Sequence, residues 1–349
     1  MLSWLVSVLG HLWGPLRLLG SFFFLAGVGY GTAALATWVL LPRLWDRLPR
    51  DRGRAHAVDA EQSVGKPLSA GLIFVSVFVV VSIIFVPFDA RAIRTLPLIV
   101  AAMLVGFIDD RTPGGLSEYR LAMLDFAIAL GAAAVILGWG VSTIWLPGWK
   151  ETIALPVWLA LPLATGVIWL SINATNCSDG VDGVSGSLTG TAILLLGGLL
   201  YAVIGNADIA GHLNIPLNVG GANWAIMAFV MVGAVSGYLW YNAPPSAVLM
   251  GDSGSRPLGL LIGMLVVATG NPLLLLLVGT VILVNGATGL VKVAVTRFFG
   301  IRILSSIRFP LHDHCRKNLG WSNSQVLVRF MLLHLGLSTL LVTLVLKVR

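Results

Sequence analysis

The sequence predicts an all-α integral membrane protein of about ten transmembrane helices, and three observations carry that prediction. Hydrophobic residues make up 57% of the chain and charged residues only 11%. The mean hydropathy is +0.92. Apolar stretches of the roughly 18–20 residues needed to cross a bilayer of about 30 Å follow one another with short polar breaks. No long linker or internal repeat divides them, so residues 1–349 are expected to form a single polytopic membrane domain.

The spans fall near 17–41, 68–87, 93–109, 119–139, 153–175, 184–205, 221–241, 256–270, 272–296 and 325–346. The opening 1-MLSWLVSVLGHLWGPL-16 is apolar but broken by Gly10, Gly14 and Pro15, which suits an interfacial segment. It lacks the early basic region and small-residue cleavage site of a removed signal peptide. The eighth span is short and glycine-rich, which predicts a buried or tilted helix rather than a lipid-facing one.

Basic residues set the orientation. Arg43, Arg47, Arg50, Arg52, Arg54 and Lys66 follow the first span, and Arg302, Arg308, Arg316 and Lys317 precede the last. Facing both loops to the cytoplasm puts both termini on the periplasmic or extracellular side. The formal charge of +7 is then explained by cytoplasmic loops and anionic lipid, without a nucleic-acid partner. Cys177 and Cys315 share that cytoplasmic side, where a structural disulfide is not expected and no metal cluster is indicated.

Alternation gathers four polar groups on the same face. An aspartate at a helix end is commonly only a solvated cap, and the groups differ in how well that role serves them. In 105-VGFIDDRTPGG-115, Asp109 and Asp110 set adjacent like charges against an apolar helix end, an arrangement that favours a compensating cation. In 176-NCSDGVDG-183, Asp179 and Asp182 stand among glycines that permit tight turns and close approach to a ligand. The spacing is not that of an EF-hand loop. In 248-VLMGDSGSRPLG-259, Asp252 lies between glycines just before a helix whose first amides face outward for phosphate, although the Walker ending is absent. In 308-RFPLHDHCRKNLGW-321, His312 and His314 flank an acid, and Pro310 and Gly320 predict a loop that aims both imidazoles to one side. Zinc lacks a third and fourth ligand at short spacing.

Acidic loops, glycine turns and histidines on one face describe a site for Mg²⁺ and a diphosphate within reach of a lipid headgroup. Hard oxygen ligands suit Mg²⁺, which shares its shell between one or two carboxylates, waters and substrate phosphates. The fitting reaction class is phosphoryl transfer between a nucleotide-linked substrate and a membrane lipid.

At these residues the sequence resembles the polyprenyl-phosphate N-acetylhexosamine-1-phosphate transferases, and among them the branch serving peptidoglycan synthesis. The resemblance lies in GFIDD (106–110), NATNCSDGVDG (173–183), NAPPSAVLMGDSGS (242–255) and PLHDHCRKNLGWSNSQVLVRF (310–330). It implies a multi-pass enzyme of the bacterial inner (cytoplasmic) membrane that moves phospho-MurNAc-pentapeptide from UDP-MurNAc-pentapeptide to undecaprenyl phosphate, releasing UMP. It further implies that Asp252 binds Mg²⁺, that Asp109 and Asp110 handle the lipid phosphate or help hold the metal, and that Asp179 is a further active-site aspartate. Asn176 matches a nearby polar contact; Gly180, Val181, Asp182 and Asn242 match the nucleoside pocket; His312 and His314 match the outer members of a histidine triplet. A homodimer is compatible with it.

Three departures stand out. Pro113 occupies the place of a family lysine, Asp313 that of the central histidine, and 67-PLSAG-71 that of the usual entry motif. The alternatives are a cousin that transfers GlcNAc-1-phosphate to the same lipid, a transporter and a non-catalytic scaffold. A transporter predicts ionisable residues near the bilayer midplane and a repeat. Asp125 and His334 are the ionisable residues set about a third of the way into spans, short of the midplane, and no obvious repeat is present.

Overall fold

The computed structural model describes residues 14–53, 63–88 and 90–348. Arg54 and the first thirteen residues of the opening segment lie outside them. The described chain is mostly helical: α1 (Phe22–Leu44), α2 (Gly71–Phe85), α3 (Leu96–Arg111), α4 (Glu118–Leu137), α5 (Val157–Cys177), α6 (Val184–Leu199), α7 (Ala207–His212), α8 (Gly221–Asn242), α9 (Asp252–Ala268), α10 (Leu274–Val278), α11 (Thr280–Ile282), α12 (Thr288–Phe299), α13 (Leu311–Leu319) and α14 (Asn323–Val348). Every predicted span lands on a helical element. Seven helical rods among the described residues are long and apolar enough to cross a membrane. Phe23, Met123, Phe298 and Leu332 stand exposed on their outer faces, an apolar surface that suits lipid and not water.

At the centre stands α9, buried from Asp252 through Val266 and packed against α2, α3, α4, α5, α6 and α8. Glycine explains how one helix can be surrounded so closely. A Cβ on Gly259 would lie 2.6 Å from the Ser171 carbonyl oxygen, and one on Gly263 would lie 2.7 Å from the Ile168 Cα. Small residues four apart thus let the α9 and α5 backbones touch, and Ser171 Oγ donates to the Gly259 carbonyl at 2.7 Å. The glycine content that predicted a buried eighth span has this packing as its cause.

The structure differs from the sequence reading in three places. An antiparallel ribbon, β1 (Ser142–Ile144) with β2 (Ile153–Leu155), interrupts the all-α pattern before α5. Its strands are three residues each, too short to leave an alternation signal. The stretch 272–296 is not one regular helix: α10, α11 and α12 are joined through Gly279 and a wide π-helical turn, Leu283–Ala287. Residues 311–319, expected to form a loop, make the helix α13. Pro310 stands at its N-cap and Gly320, at φ +68, closes its C-terminus in the left-handed conformation. Both residues are helix boundaries here, a role their chemistry suits as well as a loop.

Candidate active site

The carboxylate cluster forms where the C-terminus of α3 meets the N-terminus of α9. Two glycines permit the meeting: a Cβ on Gly106 would lie 2.2 Å from the Asp252 carbonyl oxygen, and one on Gly71 would lie 2.1 Å from the Gly254 nitrogen. Asp110 then caps α9 from 142 residues away. Its Oδ1 accepts the Asp252 N–H at 2.9 Å, and its Oδ2 accepts the Ser253 N–H at 3.2 Å and the Ser69 hydroxyl at 2.6 Å. A carboxylate at these unpaired amides also meets the positive end of the helix dipole. Asp109 points differently. Its Oδ1 accepts the Leu116 N–H at 2.6 Å, and its carboxyl faces that of Asp252.

Asp252 is buried and held from two sides. Asn176 Nδ2, at the end of α5, donates to its Oδ2 at 2.8 Å. Arg256, one turn along α9, donates to the same oxygen through Nε at 3.1 Å and Nη2 at 2.9 Å. The other arm of the guanidinium, Nη1, pairs with Asp125 on α4. Arg256 and Asp125 were not among the predicted site residues, and neither was Ser69. The i, i+4 spacing of Asp252 and Arg256 was the available signal.

Four carboxylates, Asp109, Asp110, Asp125 and Asp252, therefore gather at this junction, and Arg256 pairs with two of them, Asp125 and Asp252. That formal excess of negative charge in a poorly hydrated region calls for a further cation. Among the described residues no three His, Cys, Asp or Glu side chains converge into a metal cage. One or two carboxylates are nevertheless what Mg²⁺ takes from a protein when phosphates complete its shell. Asp252 and Asp109 fit that role. Asp110 has both oxygens committed to α9 and Ser69.

The glycine-rich loop after α5 lies beside this cluster. The Asp179 N–H donates to the Asn176 carbonyl at 3.1 Å. Gly180 is exposed while Val181 is buried. Asp182 Oδ2 accepts the Ser246 N–H at 3.1 Å. Asn242 is buried and ties the loop to its neighbour: its Oδ1 accepts the Gly183 N–H at 2.8 Å, and its Nδ2 donates to the Val248 carbonyl at 2.8 Å.

The histidines part company, as two positions on one helix must. His312 is buried against Gly180 and Asn285. Burial, reinforced by the nearby Arg316 charge, pushes its imidazole pKa down to about 3. His314 turns to the backbone instead, its Nδ1 accepting the Arg308 N–H at 3.3 Å.

Comparison with known proteins meets this geometry directly. The family described as "Glycosyl transferase family 4" matches residues 92–270, a stretch that holds Asp109, Asp110, Asn176, Asp179, Asp252 and Arg256. The phospho-N-acetylmuramoyl-pentapeptide-transferases of two Treponema pallidum strains are 46% identical over 97% of this chain and 94% of their own length. That of Bartonella quintana is 31% identical over 88% of this chain and 91% of its own length. The chain belongs to this transferase family. Asn285, His312 and His314 lie beyond the stretch matched to glycosyl transferase family 4.

Proposed function

We propose that the protein transfers phospho-MurNAc-pentapeptide from UDP-MurNAc-pentapeptide to undecaprenyl phosphate, releasing UMP and forming the first lipid-linked peptidoglycan precursor. The observation that carries this reading is the excess of carboxylate at the α3–α9 junction, beside a glycine loop. The 46% identity to phospho-N-acetylmuramoyl-pentapeptide-transferases over nearly the whole chain supports it. The protein acts as one ten-span domain in the bacterial cytoplasmic membrane, with both termini outside and this junction inside. Exposed Trp139, Trp149 and Trp158 near the ribbon, and Trp240 near the end of α8, suit the two interfaces of such a bilayer.

Asp252, with Asp109, would hold Mg²⁺, which when bound neutralises the diphosphate and stabilises the departing UMP. Asn176 and Arg256 fix the Asp252 carboxylate in place for that task. Asp109, whose carboxyl is less committed than that of Asp110, orients the lipid phosphate for attack on the β-phosphorus. A phosphate monoester is largely ionised near neutral pH, with a second pKa of about 6, so no strong base is required. Positioning and charge neutralisation supply most of the acceleration. Asp179 organises the loop beside the diphosphate. Gly180, Val181 and Asp182 line the nucleoside, and Asn242 holds that loop in shape.

The test is UMP release by detergent-purified protein with Mg²⁺ and undecaprenyl phosphate, offering UDP-MurNAc-pentapeptide and UDP-GlcNAc separately. Release with the pentapeptide substrate, lost in Asp252→Asn, is expected. Release with UDP-GlcNAc alone would overturn the substrate assignment, and release with neither would overturn the activity.

A further inference from the structure

The π-helical turn between α11 and α12 carries a residue with no local reason to be polar. Asn285 is fully buried in a stretch otherwise made of Leu, Val, Gly and Ala. The turn is pressed onto the end of α5: a Cβ on Gly286 would lie 2.2 Å from the Ala174 carbonyl oxygen, and Ser178 Oγ donates to the Ile282 carbonyl at 3.1 Å. This contact aims the Asn285 amide at the first turn of α13, where its Oδ1 lies 2.9 Å from the His312 backbone nitrogen and 3.1 Å from His312 Nδ1.

Elementary donor and acceptor rules then fix the ring. A backbone N–H can only donate, so the atom of Asn285 facing it is the oxygen. A carbonyl oxygen can only accept, so Nδ1 carries a proton. In a neutral imidazole Nε2 is therefore the lone-pair nitrogen. Nε2 faces Gly180, where an added Cβ would sit 2.4 Å from it, so the glycine is what leaves room at that nitrogen of a ring otherwise buried. The charged groups around the ring do not reverse this. Asp313 Oδ1 lies 3.8 Å from Nε2, beyond hydrogen-bond reach. Arg316 follows one turn later and opposes a cationic imidazole. Asp179 precedes Gly180 on the loop packed against the ring. Asn285 Nδ2 has no partner among the described residues, so the side chain's contacts there run through its oxygen.

We propose that Asn285 is a positioning residue that locks His312 in the Nδ1–H tautomer, so that Nε2 accepts a hydrogen bond from a hydroxyl or N–H of the nucleotide-sugar instead of donating to its phosphates. The assignment of the ligand rests on the proposed function; the tautomer does not.

The experiment is ¹⁵N-imidazole NMR of histidine-labelled protein in detergent micelles, with His312 assigned by its loss in His312→Asn, beside the binding and turnover of UDP-MurNAc-pentapeptide. A protonated Nδ1 and bare Nε2 are expected at His312 in the unsubstituted protein. Asn285→Leu should lose that tautomer and weaken substrate binding about tenfold, the worth of one hydrogen bond in a buried site. Asn285→Asp keeps the acceptor oxygen, so the tautomer and binding should persist at pH 8. Its added charge beside Nδ1 favours the imidazolium, and activity should fall with an acid limb that the unsubstituted protein lacks. An Nε2–H tautomer at His312, or binding unchanged or tightened in Asn285→Leu, would overturn the proposal. If the unsubstituted protein releases no UMP, the proposed function fails, while the NMR result still decides the role of Asn285.

Discussion

The two ends of α9 are both tied down by side chains from elsewhere in the chain, but with opposite chemistry. At its N-terminus the ties are charged: Asp110 accepts the first amides, and Arg256 binds Asp252 and Asp125. At its C-terminus they are neutral: Trp145 Nε1 donates to the Thr269 carbonyl at 2.9 Å, and Asn218 Nδ2 to the Ala268 carbonyl at 2.8 Å. Each set matches the helix dipole, since free amides attract an anion and free carbonyls need a donor. The neutral set shows that this helix can be fixed without ions. Buried ions are a poor way to gain stability alone, so the charge at the other end is what the proposed function assigns to chemistry.

The strongest way to break the comparison is at Arg256. Arg256→Leu leaves Asp125 and Asp252 facing each other without a counter-ion, and loss of one partner from a buried ion pair costs about 3–5 kcal/mol. Asp125→Asn added to Arg256→Leu removes the stranded charge and should recover much of that loss. Thermal unfolding of the single and double variants in one detergent reads the coupling. Strict additivity of the two substitutions would mean that Asp125 and Arg256 do not act as a pair. Next in size is Asp252→Asn, which keeps volume but removes the negative charge. By analogy with other single-group electrostatic deletions, UMP release should fall about 10²–10³-fold, with the unfolding midpoint changed far less than in Arg256→Leu.

How much of this was legible in the sequence follows the same division. The aspartates at α3, α5 and α9 were readable because each follows the end of an apolar run, Asp109 and Asp110 as adjacent like charges and Asp179 and Asp252 each beside a glycine. Asp125 was visible as an acid within a span, but its partner lies 131 residues away, and no local pattern connects them. Asn285 sat unremarked in 283-LVNGA-287, because the widening of that turn is decided by Gly286 against α5, a tertiary contact. The helix α13 was hidden by its own boundaries. Pro310 and Gly320 enclose nine residues, few enough for two stop signals to resemble one loop.

His312 sharpens the comparison through pH. Its folded pKa of about 3 lies below the unfolded value of about 6.5. Between those values the unfolded chain binds a proton that the folded protein refuses, so stability from this group is complete above about pH 6.5 and is lost as pH falls toward 3. The slope is about 1.4 kcal/mol per pH unit within that window. Unfolding midpoints measured from pH 8 to pH 5 should decline less in His312→Asn than in the unsubstituted protein; parallel curves would remove His312 from the acid response.

The smallest expected effect tests the neutral end. Trp145→Phe keeps an aromatic ring among the ribbon, the α9 terminus and the residues that follow it, but removes the N–H that reaches the Thr269 carbonyl. One neutral hydrogen bond contributes about 1 kcal/mol, so the unfolding midpoint should drop slightly. Turnover should stay level, because the Trp145 backbone N–H still donates to the Gly270 carbonyl at 3.0 Å and α9 keeps its seat. A large fall in UMP release from this substitution would show that the far end of α9 governs the carboxylates, and the division between a chemical end and a structural end would have to be abandoned. Level turnover with a lowered midpoint would make the ribbon a clasp, whose neutral bonds hold the helix while its charged end works.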